Sequence, residues 1–141
     1  MAKSSNLTQT MSKQETSTKT YNVAVVGATG LVGKEIMEVL EQRNFPVKNL
    51  VPLASARSAG LPVVYNGESY TVEDLDKASF KDVDFALFSA GGSVSAKYAP
   101  KAAEEGAIVI DNTSFFRMQQ DIPLVVPEVN GHALKSHQNI I

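Results

Sequence analysis

The sequence predicts an α/β fold in which a mostly parallel sheet carries helices on both of its faces. Strand-like runs of β-branched and other apolar residues alternate with segments whose apolar residues recur at helical spacing. The first strand-like run leads into Gly27, Gly30 and Gly33, and the first helical segment follows them. Later runs also end in serine and glycine, and glycine lets a ligand approach the backbone at the carboxyl end of a strand. The fold is therefore expected to be Rossmann-like.

Length and composition indicate one ordinary globular domain. The chain has 141 residues, a hydrophobic fraction of 43% and a formal net charge of −2. This balance provides no basic surplus for nucleic acid or a membrane surface, and no apolar stretch approaches the roughly 20 residues that span a bilayer. The chain has no cysteine, which excludes disulfides, cysteine-ligated metal and thiol catalysis by these residues. We expect no metal site and no nucleic-acid or membrane partner.

The first twenty residues differ in composition from the rest of the chain. They are rich in Ser, Thr, Gln and Lys, with Leu7 and two methionines as their large apolar side chains. Such a segment buries too little to offset the entropy of ordering, so residues 1–20 are expected to be a disordered polar tail before a dinucleotide-binding domain at 21–141. A transit peptide is the alternative, but Glu15 and the absence of arginine favour a plain tail and a cytoplasmic protein over a plastid one.

The glycine turn is the first candidate binding site. Tyr21 to Val26 reads as a buried parallel strand, and the apolar spacing from Leu31 to Leu40 predicts a helix. The N–H groups and positive end of such a helix favour a pyrophosphate. The spacing is G-x-x-G-x-x-G, because Thr29 takes the place of the second glycine in the usual dinucleotide fingerprint. The residues predicted to contact the cofactor here are Gly27, Thr29, Gly30, Leu31, Val32 and Gly33.

Each glycine has an expected task in this turn. Gly27 makes the turn, Gly30 lets the pyrophosphate approach, and Gly33 allows the helix to pack closely on the sheet. The alternative interpretation is a glycine turn used only for tight packing between strand and helix. The strand before the turn and the helix after it favour nucleotide binding.

A second strand is predicted over Leu50 to Ala54, after Pro46 ends the first helix. Pro52 suggests an edge or irregular position for this strand. In dinucleotide folds an acidic residue at this strand end binds the ribose 2′-hydroxyl, whereas an arginine accommodates a 2′-phosphate. The segment Ser55 to Gly60 has no acid and contains an arginine, which favours NADP over a plain surface loop. The predicted contacts are Ser55, Arg57, Ser58 and Ala59.

The middle of the chain continues the alternation. Residues 61–72 read as a hairpin turning at Asn66-Gly67, because both turn positions tolerate positive φ. A third core strand, residues 82–88, ends at Ser89, Ala90 and Gly91, where further cofactor contacts are expected. A helix should follow from Ser93 or Ser95 as N-cap to Ala103, with Pro100 as a kink. Gly106 then ends the helix before a strand at residues 107–110.

The segment after that strand carries a candidate anion site. Arg117 follows two phenylalanines in a polar loop that begins at the carboxyl end of a strand. A guanidinium there can hold a carboxylate or a phosphate through two parallel hydrogen bonds. A surface arginine paired with Asp121 explains the pattern equally well. His132 and His137 lie in a polar helical stretch, are expected to be exposed and receive no catalytic role.

Five segments together resemble one known family. GATGLVG, SARSAG, LFSAGGSVSAKYAP, IDNTSFFR and PLVVPEVN, in this order and spacing, are similar to the N-terminal part of aspartate-semialdehyde dehydrogenase. The likeness extends from Tyr21 to Ile141 without a gap, and it is most specific between Phe88 and Asn130.

The resemblance implies a two-domain NADP enzyme, homodimeric when intact, that interconverts aspartyl phosphate and aspartate semialdehyde on the route to lysine, threonine and methionine. It implies that Arg117, with Asn112 beside it, binds the small-molecule substrate or inorganic phosphate. It also implies that Ser55, Arg57 and Ser58 and the turn Ser89-Ala90-Gly91 match cofactor contacts.

The resemblance also implies that this chain holds no catalytic residue. The family's nucleophilic cysteine follows in an Asn-Pro-Asn-Cys segment shortly after the strand represented here by residues 139–141. A thiolate there attacks the aldehyde, hydride passes to NADP, and phosphate cleaves the thioester. The 141 residues are therefore expected to be inactive alone.

Two other functions stay open at this point. N-acetyl-glutamyl-phosphate reductase is a related acyl-phosphate reductase of similar architecture, although the SARSAG and VPEVN segments favour the aspartate enzyme. The other is a non-catalytic module that senses NADP with the same glycine turn.

Overall fold

The computed structural model describes residues 18–141, so the predicted disordered tail lies outside the described residues except for its last three positions. Seven strands are present in this range: β1 (Tyr21–Val26), β2 (Val47–Ala54), β3 (Pro62–Tyr65), β4 (Glu68–Thr71), β5 (Glu73–Asp74), β6 (Phe85–Phe88) and β7 (Ile108–Asp111). The α-helices of the same range are α1 (Leu31–Gln42), α2 (Gly92–Glu104) and α3 (Pro127–Asn130). Two 3-10 helices cover Leu75–Lys77 and Gly131–Ser136.

Five of the strands form one parallel sheet in the order β5-β2-β1-β6-β7. Strand β1 lies at the centre, β2 lies on one side of it and β6 on the other. The chain thus reverses its direction of winding between β1 and β6, which creates a crevice at the carboxyl ends of these two strands. The predicted Rossmann-like parallel sheet is confirmed.

The sheet is covered by a helix on each face. Ala24 and Val26 of β1 belong to a core that also contains Tyr98 and Ala99 of α2. Val25, between them in sequence, belongs to a second core with Met37 of α1. Because successive side chains of a strand point to opposite faces, the two cores lie on opposite sides of the sheet. The central strand is buried on both faces, as its composition predicts.

The ends of the helices follow local rules. Helix α1 ends with Asn44 at a φ of 51°, and the Phe45 N–H donates to the Leu40 carbonyl. Helix α2 ends in the same way, with Gly106 at a φ of 104° and the Ala107 N–H donating to the Ala102 carbonyl. Both are Schellman motifs, which satisfy carbonyl groups that the helix leaves free.

The start of α2 differs from the prediction. Neither Ser93 nor Ser95 is its N-cap, because the helix begins at Gly92 with Gly91 as cap at a φ of 97°. Gly91 can adopt this conformation without a Cβ clash, so the N-cap lies two residues before Ser93 and four before Ser95. The hydroxyl of Ser95 is fully buried and bonds to Asp111 instead.

Three strand boundaries also differ. Strand β2 begins at Val47 rather than Leu50, and its outer side is paired only at its last two residues. Pro52 therefore lies where a strand has one free edge, a position that proline tolerates. Strand β6 begins at Phe85 rather than residue 82. The residue before it, Asp84, accepts a hydrogen bond through its side chain from the Asn22 N–H at 2.8 Å and belongs to the loop that leads into the strand. Strand β7 covers Ile108–Asp111 rather than residues 107–110, because the Ala107 N–H donates to the Ala102 carbonyl at the end of α2.

The hairpin agrees with the prediction, whereas the chain end agrees only in part. Strands β3 and β4 pair antiparallel around Asn66 and Gly67, whose φ values are 53° and 79°. Ile140 forms an isolated parallel bridge with Val109 of β7, so residues 139–141 contribute one bridge and no strand. His132 is exposed as expected, but His137 is half-buried, and its Nδ1 accepts a hydrogen bond from the Asn139 N–H at 3.0 Å. No helix in residues 18–141 is long and apolar enough to cross a membrane.

The packing of the hairpin on α1 predicts an alkaline loss of stability. Burial raises the pKa of the Tyr65 hydroxyl above its usual 10.0, and Glu41 and Tyr70 raise it further. The Tyr65 hydroxyl contributes fully to the free energy of unfolding below pH 10, where both the folded and the unfolded chain keep its proton. This contribution is lost as the pH rises through the pKa of the folded state. Tyr65→Phe should reduce the loss of unfolding free energy measured by urea titration between neutral pH and about pH 11. An identical loss in wild type and variant would contradict this cause.

Candidate nucleotide-binding site

Loops at the carboxyl edge of the sheet enclose a cavity of about 430 Å³. They are the turn after β1, the turn after β2, the 3-10 helix after β5 and the turn after β6, and α2 closes one side. The volume of the cavity is within the range of small-molecule sites, and the cavity lies at the crevice between β1 and β6. The wall consists of Gly27, Thr29, Gly30, Ala54, Ser55, Ser58, Leu75, Asp76, Ser89, Ala90, Val94 and Tyr98.

The glycine turn is shaped by close backbone contacts. Gly27 has a φ of 93°, and a Cβ built on it would lie 3.1 Å from the Cβ of Ala90 in the turn after β6. A Cβ on Gly33 would overlap the carbonyl oxygen of Gly27 and lie 2.8 Å from the carbonyl carbon. Gly33 therefore allows α1 to approach the end of β1, and Gly27 allows the two turns at the crevice to touch.

Among the described residues, the N–H groups at the start of α1 have no partner and face the same edge. The N–H groups of Gly27 and Ala28 donate to the Leu53 carbonyl at 2.9 and 3.1 Å, and the Gly30 N–H donates to Gly27 at 3.1 Å. The first intrahelical bond comes from Lys34, and no side chain caps the helix. The N–H groups of Leu31, Val32 and Gly33 are left without an intrahelical acceptor, which is the usual arrangement for binding an anion.

Leu31, Val32 and Gly33 do not form part of the cavity wall. Leu31 is 85% exposed and Val32 is 44% exposed, on the outer face of the first helical turn. Whatever these residues contribute to an anion comes from their backbone N–H groups. Their predicted role as cofactor contacts stays a prediction.

The turn after β2 forms another part of the wall. The N–H groups of Ser58 and Ala59 donate to the Ser55 carbonyl at 2.9 and 3.1 Å, so these residues make one helical turn. This turn brings Ser55 and Ser58 to the cavity, whereas Arg57 and Ala59 are exposed beside it. Within residues 18–141 the Arg57 guanidinium makes no hydrogen bond or ion pair, so it is available to a ligand.

Sequence reasoning missed five residues of the wall. Ala54, Leu75, Val94 and Tyr98 give it apolar surface, and Asp76 adds a carboxylate. The spacing of Val94 and Tyr98 on α2 signals a shared helix face, but nothing in the sequence places that face at the cavity. Asp76 forms an exposed ion pair with Lys97 at 3.4 Å. An acid therefore does lie at the cavity, although none is in the Ser55–Gly60 segment.

The loop after β7 lies at the same edge of the sheet. The Asn112 N–H donates to the Phe88 carbonyl of β6 at 2.9 Å, and Phe116 is buried under the loop. The Arg117 side chain is exposed, and its Nη2 donates to the Asn112 carbonyl at 3.4 Å. In the described part of the chain Arg117 makes no ion pair with Asp121. The surface-pair interpretation thus finds no support in the geometry.

Arg117 and the nucleotide cavity are in separate depressions. Arg117 lines a small pocket of about 40 Å³ with Asp111, Thr113, Phe116, Ile122, Pro123, Leu124 and Ile141. Phe115, in the same loop, would be 3.7 Å from a Cβ on Gly92 at the start of α2. The loop is therefore next to the turn that closes the nucleotide cavity. Residues 18–141 contain no group of three or more side chains placed to hold a metal ion.

The strand order, the glycine turn and the cavity between β1 and β6 define a Rossmann-like nucleotide-binding domain. The family model described as "Semialdehyde dehydrogenase, NAD binding domain" matches residues 22–137. The chain belongs to this family.

Relatives of the chain carry the name aspartate-semialdehyde dehydrogenase. The protein of Campylobacter jejuni is 54% identical over 119 residues, which is 83% of this chain and 35% of the relative. The Bacillus subtilis protein is 55% identical over 120 residues, or 85% of this chain and 35% of the relative. The solved structure of aspartate-semialdehyde dehydrogenase II from Vibrio cholerae, complexed with ASA, has a TM-score of 0.85 and 52% identity; the match covers 87% of this chain and 41% of that one.

The chain spans about a third of the length of the curated relatives that it matches. It is similar to their N-terminal nucleotide-binding part. A structure of the Candida albicans enzyme with NADP matches at 23% identity and a TM-score of 0.70, which is a likeness of fold alone.

Proposed function

We propose that this chain binds NADP across the carboxyl edge of its sheet, as the nucleotide-binding part of a homodimeric aspartate-semialdehyde dehydrogenase. The intact enzyme reductively dephosphorylates aspartyl phosphate to aspartate semialdehyde, in a reversible reaction, in aspartate-family amino-acid biosynthesis. The observation that carries the proposal is the cavity at the switch point of the sheet, whose wall includes the glycine turn and Ser55 and Ser58. The related proteins carry the name aspartate-semialdehyde dehydrogenase, and the reaction proposed here is the one that the family resemblance implies.

The residues present fit a dinucleotide phosphate. The unpaired N–H groups at the start of α1 bind the pyrophosphate, and the glycine turn lets it reach the backbone. Ser55 and Ser58 offer hydroxyl groups at the wall, and Arg57 beside them supplies the charge for a 2′-phosphate. The apolar wall of Leu75, Val94 and Tyr98 suits a flat base or ring. Bound NADP supplies the hydride chemistry.

The turn after β6 orients the cofactor on the other side of the crevice. Ser89 and Ala90 form part of the wall, and the Ser89 hydroxyl donates to the Val26 carbonyl at 3.3 Å. This bond ties the end of β6 to the end of β1, so the two walls keep a constant separation. Gly91, at the mouth of this turn, leaves its backbone open to a ligand.

Arg117 and Asn112 bind the phosphate or the carboxylate of the substrate. The guanidinium is exposed at the cofactor edge and is held near the start of its loop by the Asn112 carbonyl. A charge placed there neutralises an incoming phosphate and orients it for transfer. The chain has no cysteine, so the nucleophile of the proposed reaction comes from outside these 141 residues.

Titration calorimetry with NADP and NAD tests the cofactor proposal on the 141-residue chain. We expect NADP to bind in preference to NAD, because Arg57 and the two serines are positioned for the additional phosphate. Equal binding of both cofactors, or no binding of either, would contradict it.

Arg117→Ala tests the phosphate site in the intact enzyme. Loss of a charge-assisted hydrogen bond costs about 1.5–3 kcal/mol, so the KM for phosphate should rise roughly ten- to a hundred-fold and turnover should fall. NADP affinity should stay within a factor of about three, a change of less than 1 kcal/mol. Arg43→Ala is a matched control, because Arg43 is an exposed arginine at the far end of α1. An unchanged KM for phosphate in Arg117→Ala would remove Arg117 from the site.

A further inference from the structure

A buried hydrogen-bond network fixes the start of the loop that carries Arg117. Ser95 is fully buried in α2, and its hydroxyl donates to Asp111 Oδ1 at 3.0 Å. The Thr113 N–H donates to the same oxygen at 2.8 Å. The Thr113 hydroxyl lies 3.0 Å from Asp111 Oδ2 and 3.2 Å from the Ser95 hydroxyl. The carboxylate thus joins the end of β7, the body of α2 and the beginning of the loop.

The network connects directly to Arg117. Asn112, between Asp111 and Thr113, donates its N–H to β6 and offers its carbonyl to the Arg117 guanidinium. Rotating the Asp111–Thr113 turn would move that carbonyl away from the arginine. The elements at the other end of the network are rigid, because Ala99 of α2 and Val109 of β7 are fully buried in one core.

Packing alone does not explain these polar groups. Ser95 faces the same core as Ala99 and Ala102, which fill their positions without a hydroxyl. A buried polar group is unfavourable unless it is fully hydrogen-bonded, so an apolar residue would pack here without that requirement. The hydrogen bonds instead join α2 and β7 to the first residues of the loop, as contacts that hold a neighbouring binding residue in one orientation do.

We propose that Asp111, Ser95 and Thr113 are positioning residues that hold Arg117 in place to bind phosphate. Asp111 and Thr113 line the small pocket beside Arg117, Ser95 is buried in α2, and all three act on Arg117 through the Asn112 carbonyl. This inference rests on the phosphate role proposed above for Arg117. It is separate from the cofactor proposal, because none of the three residues lines the nucleotide cavity.

Inorganic phosphate is the probe for the experiment, titrated into the 141-residue chain. Binding is followed by the NMR signals of the Arg117 Nε–H group and the Asn112 amide. Thr113→Val keeps the shape of the side chain and removes the hydroxyl, so we expect it to weaken phosphate binding about five- to ten-fold. Ser95→Ala should have a similar effect. Thr113→Ser retains the hydroxyl and should bind phosphate like wild type.

Controls separate the two proposals. NADP affinity should be unchanged in Thr113→Val, and its urea unfolding should remain one cooperative transition, which shows that the fold and the nucleotide cavity are intact. Wild-type phosphate affinity in both Thr113→Val and Ser95→Ala would overturn the positioning role, while loss of binding in Arg117→Ala would still support the phosphate site. Undiminished binding in Arg117→Ala, or no phosphate binding by wild type, would overturn both. Equal loss in Thr113→Ser and Thr113→Val would also overturn the positioning role.

Discussion

Gly33→Ala is expected to destabilise the domain by about 3 kcal/mol or more, a large part of the stability of an ordinary domain. The new Cβ would overlap the Gly27 carbonyl oxygen and lie 2.8 Å from the carbonyl carbon and 3.0 Å from the Ala28 Cα. All three atoms belong to the backbone at the end of the central strand, so no side chain can rotate away. The higher helix propensity of alanine, worth about 1 kcal/mol, does not compensate.

The measurement is urea unfolding, where the midpoint of Gly33→Ala should fall by more than about 1 M. Gly30→Ala is the matched control from the same turn. Its Cβ would meet its nearest neighbour at 3.4 Å, and its φ of −76° suits any residue, so it should lose only about 1 kcal/mol. Gly30 lines the cavity, so this control should weaken NADP binding more than it weakens the fold. Equal midpoints for the two variants would show that α1 can move away from β1.

Arg57→Ala is expected to weaken NADP binding roughly ten- to a hundred-fold and to leave NAD binding nearly unchanged. Arg57 is exposed beside Ser55 and Ser58 of the cavity wall, with its guanidinium unpaired within the described part of the chain. A charge-assisted hydrogen bond to the 2′-phosphate contributes about 1.5–3 kcal/mol, and NAD has a neutral hydroxyl at that position, so it does not make this bond.

Calorimetric titration with both cofactors measures the difference. Arg57→Lys should give an intermediate loss, because lysine keeps the charge but lacks the two-pronged geometry of arginine. Arg43→Ala removes an exposed arginine far from the cavity and should bind NADP like wild type. Equal losses for NADP and NAD in Arg57→Ala would show that Arg57 does not distinguish the 2′-phosphate.

Most features that depend on a few neighbouring residues could be predicted from the sequence. The bounds of β1, the start of α1 and the turn at Asn66-Gly67 agree with the structure. Each depends on apolar spacing or on a residue that tolerates positive φ, and neighbours within a few positions settle both. The parallel sheet followed from the alternation of strands and helices.

Features that depend on contacts between residues far apart in the chain could not be predicted from the sequence. The serines near the start of α2 suggested an N-cap, but Ser95 bonds to Asp111, sixteen residues later. Strand β5 and its 3-10 helix are too short to give a periodic signal, and they carry Asp76 to the cavity. The contribution of Tyr98 to the wall likewise appears only when α2 is packed on the sheet.

By itself, the sequence determined the class of fold, the glycine turn and the family, because local backbone preferences and a continuous series of motifs encode them. Tertiary structure decided which side chains meet at the cavity and how Arg117 is held. The reason is that parallel strands bring together loops that are far apart in the chain, and their contacts depend on packing across the sheet. The buried Ser95–Asp111–Thr113 network is such a contact, formed only after α2 and β7 are in place.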